Sequence, residues 1–219
     1  MQLKVSKASR KIAKKASSAE TAVAMMQADS SEIRIEMVLT GVTPLMFNPK
    51  NDAISEKEMT PQQQAELKVP HGPKGETGVP AVMLYRNWVG GGKHTTVKMV
   101  GSKTSRALSD SKGASGVGSF ISFEETFFPF LDQKAEWVTD TMRFNAKMND
   151  GKVASKETHR PRFDKWAIRV VAILDNSELS EKEFRLLVER SGKRVGLGAY
   201  SPRSSGWFGK YKITQWEHC

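Results

Sequence analysis

The feature that most restricts the fold lies in the last quarter of the chain, where three segments of different periodicity follow one another without a break. Residues 164–175, DKWAIRVVAILD, are dense in β-branched side chains and predict a strand. SELSEKEFRLLVERSG comes next: Ser180 is placed to cap a helix, Glu183 stands at the capping-box position, and Phe184, Leu187 and Val188 share one face. Gly192 is well placed to end that helix. GKYKITQWE then sets Tyr211, Ile213 and Gln215 against Lys212, Thr214 and Trp216, the alternation of a closing strand.

A similar order is written earlier in the chain. EIRIEMVLTG places Ile33, Ile35, Met37 and Leu39 on one face of a strand. TPQQQAELK predicts a short helix and PHGPKGETGVP a loop. AVMLYRNWV has Val82, Tyr85, Arg86 and Val89 at helical spacing, with GGGK expected to end the helix. SFISFEETFFPFL predicts a strand with apolar groups on both faces, and residues 90–118 between them read as a long, flexible, basic excursion. The order strand, helix, strand, long connection, strand, helix, strand is βαββαβ, an α+β fold of the ferredoxin-like (RRM-like) type. We expect one such domain over residues 31–219, with a basic extension over residues 1–30. A chain of 219 residues buries a core without staples, and its single cysteine, Cys219, provides no disulfide framework or cysteine metal site within one chain. With no apolar run near the roughly 20 residues of a membrane span and no secretion-signal core, the expectation is a cytoplasmic protein of a bacterial host, with no membrane partner.

Charge directs the functional reading. The formal net charge is +10, and it is clustered. Within the first 28 residues six Lys and Arg, among them Lys11, Lys14 and Lys15, face the single carboxylate of Glu20. Two stretches lack carboxylates altogether: residues 86–106, with Arg86, Lys93, Lys103 and Arg106, and residues 190–212, with Arg194, Arg203 and Lys210. Such blocks are the footprint of a polyanion partner. The second block contains RVGLGAYSPRSSGWFGKYKI, whose glycines, Gly196 and Gly198 foremost, permit positive φ and close approach, so the loop reads as a cradle for phosphate. Trp207 and Phe208, between two of its glycines, are candidate platforms for unpaired bases, with Trp88 and Tyr211 as further aromatics among the cations. Arg160 and Arg162 flank the same chemistry beside His159.

A ferredoxin-like chain whose last helix runs into a glycine-rich loop and a final strand resembles the RAMP superfamily, the RNA-binding subunits and crRNA-processing proteins of CRISPR systems. Gly196, Leu197 and Gly198 match the first half of its glycine signature; Gly206, Trp207, Phe208 and Gly209 match the second with one residue too many. From about Ile33 to Trp216 the chain also resembles small uncharacterised phage and prophage proteins, through TPLMFN, RPRFDKW, RVGLGAYSPR and GWFGKYKI. The first resemblance implies nucleic-acid binding and assembly of copies along a strand; the second implies a phage or mobile-element origin.

Catalytic constellations are sparse. His71, His94, His159 and His218 share no ligand spacing, so neither metal nor cofactor is expected. Ser105, Ser191 and Ser201 have no partner base that the sequence identifies. The reading is a non-enzymatic, single-stranded nucleic-acid-binding protein, acting on RNA or DNA, as a homo-oligomer or filament. Its rivals are an endoribonuclease using His159 or His94 as general base, and a virion or scaffold protein whose basic tail contacts the genome.

Overall fold

The computed structural model describes residues 32–51, 54, 58–109, 116–147, 151 and 153–219. The basic extension, with Lys11, Lys14 and Lys15, lies outside them. Strand β1 (Glu32–Gly41) is central because its alternating Ile35, Met37 and Leu39, each fully buried, need cover along their whole length. Short β2 (Leu45–Met46) follows, then α1 (Pro61–Glu66), closed by a complete capping box between Thr60 and Gln63. Next come β3 (Gly78–Pro80), α2 (Ala81–His94), β4 (Thr96–Lys98), β5 (Ser105–Ala107), the single turn α3 (Val117–Phe120), β6 (Ile121–Phe123) and β7 (Phe127–Pro129). The chain ends with β8 (Val138–Lys147), β9 (Val153–Phe163), β10 (Ala167–Asp175), α4 (Glu181–Arg194), a 3-10 turn at Pro202–Ser204 and β11 (Tyr211–His218).

The main sheet has the order β11-β1-β10-β6, antiparallel throughout. Taking its strands as first to fourth in sequence, the order is 4-1-3-2, the ferredoxin-like arrangement, with α2 and α4 as the two crossover helices. Register aligns Ile35 with Ala172, Met37 with Val170 and Leu39 with Ile168, so one face of the sheet is a continuous apolar floor. Leu84 and Trp88 of α2 and Phe184, Leu187 and Val188 of α4 cover it. Each of these buried side chains contributes roughly 1.5–3 kcal/mol of transfer free energy. No helix among the described residues is long and apolar enough to cross a membrane.

Several local readings change. Helix α2 does not stop at GGGK but runs through all three glycines to His94. A Cβ on Gly91 would overlap Ser191 Oγ, so the glycine is there to let α2 and α4 cross closely. Its buried face holds Leu84, Asn87 and Trp88; of the stripe of Val82, Tyr85, Arg86 and Val89, Val82 (56% exposed) and Arg86 point outward while Tyr85 and Val89 pack half-buried against the core. The basic excursion is anchored: β4 and β5 form a hairpin, and Val97, Met99 and Leu108 reach the core. Ser122 is exposed, so β6 is covered on one face only, and part of the loop before α2 pairs as β3 with β7. The connection before β10 is a long β8–β9 hairpin, extended by β2. In β11 a bulge shifts the register between Val38 and Leu39, which brings Trp216 to the same covered side as Ile213.

Candidate nucleic-acid interface

The glycine-rich loop owes its composition first to packing. Gly196, Gly198 and Gly209 have φ of +68°, +72° and +68°. A Cβ on Gly198 would collide with the Met46 carbonyl, and one on Gly206 with that of Tyr200. Backbone N–H groups that a phosphate cradle needs are largely committed: Gly196 donates to Ser191 O (3.0 Å), Leu197 to Gly209 O (2.9 Å), Ala199 to Met46 O (2.8 Å) and Gly209 to Pro44 O (2.7 Å). The expected cradle of loop amides is thereby corrected to an internally bonded loop that presents side chains.

Its anchor is a buried relay. Trp88 Nε1 donates to the Tyr211 hydroxyl (3.2 Å), which donates to Asn87 Oδ1 (2.6 Å); Asn87 Nδ2 in turn donates to Gly196 O (2.7 Å). Burial pushes the Tyr211 hydroxyl pKa far up, so it stays a donor at any working pH. Trp88, fully buried, and Tyr211 are therefore framework groups and not stacking platforms. Nothing in the sequence pattern marks Asn87, which sits between Arg86 and Trp88 of α2.

Against this loop the outward stripe of α2 forms a groove. Arg86, Gly90 and Lys93 follow at i, i+4 and i+7 on one helix face. Arg194, the last residue of α4, comes in beside them, and Arg203 is held there by its N–H to Val195 O (3.2 Å). These four cations and His94 line a cleft of about 680 Å³. A second hollow of about 650 Å³ continues from it, sharing Arg86, Val195 and Arg203, with Gly196 and Gly198 in its wall. Neither half has a carboxylate in its lining. None of the four cations has an ion-pair partner among the described residues. By contrast Arg34, Arg143, Arg160, Arg162, Arg169 and Arg185 are all paired with acids. The groove therefore gathers four cations that no carboxylate among the described residues neutralises. On the outer face of the main sheet Arg34 meets Glu124 at 2.6 Å, which holds the Arg34 pKa above its usual value, and Arg169 meets Glu36 at 3.4 Å.

The structure brings together Arg86, Lys93, Arg194, Arg203, Gly196 and Gly198 and separates the rest. Arg160 is 1% exposed, lies 3.9 Å from Asp140 Oδ1 and stacks 4.8 Å from the Tyr200 ring centre; burial lowers its pKa, with Asp140 opposing. Arg162 bridges Asp164 (2.8 Å) and Asp140 (3.2 Å), which raise its pKa. Both are corrected from phosphate contacts to cations that lock the β8–β9 hairpin. Beside them His159 is 7% exposed, its Nδ1 2.9 Å from the Thr141 hydroxyl. Arg106 is exposed on β5, two residues before Leu108, whose N–H donates to Gly92 O (3.1 Å); Lys103 is exposed at the tip of the β4–β5 hairpin, which is tied to the other end of α4 through Val100 N–H to Glu178 O (2.9 Å). That end is about 20 Å from Arg194 at 1.5 Å per helical residue. Trp207 is 56% exposed and stacked on Phe208 at 4.4 Å, on the loop's outer side; Lys210 lies with Lys193 and Lys212 around a smaller hollow at the edge of β11.

No family model and no curated protein matches the chain. Among solved structures it is similar to a chain of the Type III-B Cmr-beta complex bound to cognate target RNA, with 12% identity and a TM-score of 0.49 over 93% of this chain and 66% of that one. It is also similar to Cmr6 from Pyrococcus furiosus, with 10% identity and a TM-score of 0.45 over 85% of this chain and all of that one.

Proposed function

We propose that this chain binds single-stranded RNA or DNA along the groove between α2 and the glycine-rich loop, without cleaving it, and that copies assemble side by side on the strand. The observation that carries the reading is the grouping of Arg86, Lys93, Arg194 and Arg203, unpaired, in a concave surface without carboxylates. Cations with no internal partner release counterions from a phosphate backbone, whereas the ion-paired arginines elsewhere have little left to offer. A concave cleft lined by long flexible cationic side chains suits an unpaired strand, whose backbone can follow it, better than a stiff duplex. The resemblance of the glycine loop to that of RAMP proteins agrees with this use.

The test is binding of a labelled oligonucleotide, single-stranded or duplex, over a range of salt. The single strand binds more tightly, with a log–log salt slope of about −0.7 per phosphate contacted. Arg86→Ala and Arg203→Ala each weaken binding and shallow that slope by about 0.7, at unchanged melting temperature, since both side chains are exposed. Equal, salt-insensitive affinity for strand and duplex would overturn the reading. A second reading, endoribonuclease, is favoured by one observation: His94 lines the cationic cleft. RNA cleavage that is lost in His94→Ala would establish it.

A further inference from the structure

The groove has two chemically different halves, and phosphate binding accounts for only one. Beyond Arg86 and Arg203 the second hollow is walled by Phe47, Pro49, Pro70, Pro80, Val82 and Met83. Four of its positions are proline or aromatic rings, of which Phe47 is fully buried and the three prolines present surface. Of its polar groups the buried Asn87 amide is committed to Gly196 O and the Tyr211 hydroxyl, while Asn48 and Ser204 stand exposed at the rim. About 650 Å³ of largely apolar space is within the range of small-molecule sites. The apolar walls call for a flat apolar body, and the two arginines at the mouth call for an anion one short linker away. A nucleoside phosphate has this shape.

We propose that the apolar recess holds one unpaired base of a nucleoside phosphate whose phosphate lies on Arg86 and Arg203. The inference rests on the strand-binding reading for its source of ligand, and adds that the groove engages a base as well as a backbone. With the buried amide committed, the base is held by its faces, so purines and pyrimidines are both accepted. A free nucleotide presents the same chemistry as a nucleotide within a strand.

The test fills the recess without touching the core. Val82→Trp and, independently, Pro49→Trp place an indole in it from exposed positions. Wild-type protein is compared with both variants on three probes: a 12-mer RNA, an abasic 12-mer of the same length, and AMP. Wild type prefers the base-bearing strand to the abasic one by about tenfold, and the preference disappears in whichever variant keeps its melting temperature, while the salt slope does not change. AMP binding that is lost in the same variants assigns the recess to a free nucleotide. If base preference and AMP binding are both absent, or survive both substitutions, the recess proposal is overturned while salt-dependent strand binding stands. If no probe binds in a salt-dependent way, the strand-binding reading fails with it.

Discussion

Arg160 is the residue whose role changes most between sequence and structure. Its guanidinium is almost fully buried, and its Nε and Nη2 have no hydrogen-bond partner, so among the described residues its charge is supported by Asp140 and the Tyr200 ring. A buried ion pair is costly to break from one side and cheap to replace as a whole. Asp140→Asn therefore destabilises the fold by about 3 kcal/mol, read in denaturant melts, because it leaves the buried Arg160 charge without its carboxylate, while Arg160→Met costs less, since Asp140 keeps Arg162 as its partner. A strong loss in Arg160→Met with none in Asp140→Asn would reverse the assignment. Trp207 is the opposite case, a large ring left 56% exposed. Trp207→Ala leaves the melting temperature in place and, where a base stacks on it, costs on the order of 1–3 kcal/mol of strand binding. A large drop in melting temperature at unchanged affinity would show that the ring is packing.

Among the elements, α4 and β11 are joined by a pH-dependent contact. Trp216 Nε1 donates to Glu181 Oε1 at 2.6 Å, and His218 Nε2 lies 2.9 Å from its other oxygen. The hydrogen bond from Trp216, ahead of the contacts with His218, holds the Glu181 carboxyl below its ordinary range. Because the native value is lowered, the stabilisation is present above the unfolded value of about 4.3 and is lost as pH falls through the native one. Glu181→Gln therefore flattens the fall of melting temperature below about pH 4.5; an unchanged acid limb would show that the contact does not matter. The elements also show why parts of the chain were legible. β1, β10 and α4 have apolar residues at strict spacing because a single covered face demands it, and this pattern survives in the sequence. The β8–β9 hairpin lacks such a face: Arg143, Phe144 and Asn145 are all exposed, so no alternation marks it. For α2 the glycine run hid the last turn of the helix, since the rule that glycine ends helices yields where two helices must nearly touch.

For the molecule as a whole, charge blocks located the cationic groove only in part. Sequence clustering singled out Arg86, Lys93, Arg194 and Arg203 together with Lys103, Arg160 and Arg162, but it could not tell a free cation from one facing Asp140, because Asp140 and Arg160 meet only across a hairpin. The same long-range wiring affects how the protein is made. β1 finds its two neighbours in β10 and β11, so contacts such as that between Thr40 and Thr214 span 174 positions. A chain emerging from the ribosome exhibits Ile33, Ile35, Met37 and Leu39 on an open strand for the whole time that residues 42–166 are being translated, and its second edge stays open until β11 appears. Pairing so far apart in sequence makes folding slow and leaves a sticky intermediate. At 5–20 residues per second that exposure lasts roughly ten seconds, long enough for a nascent-chain chaperone to engage β1 before its own sheet does.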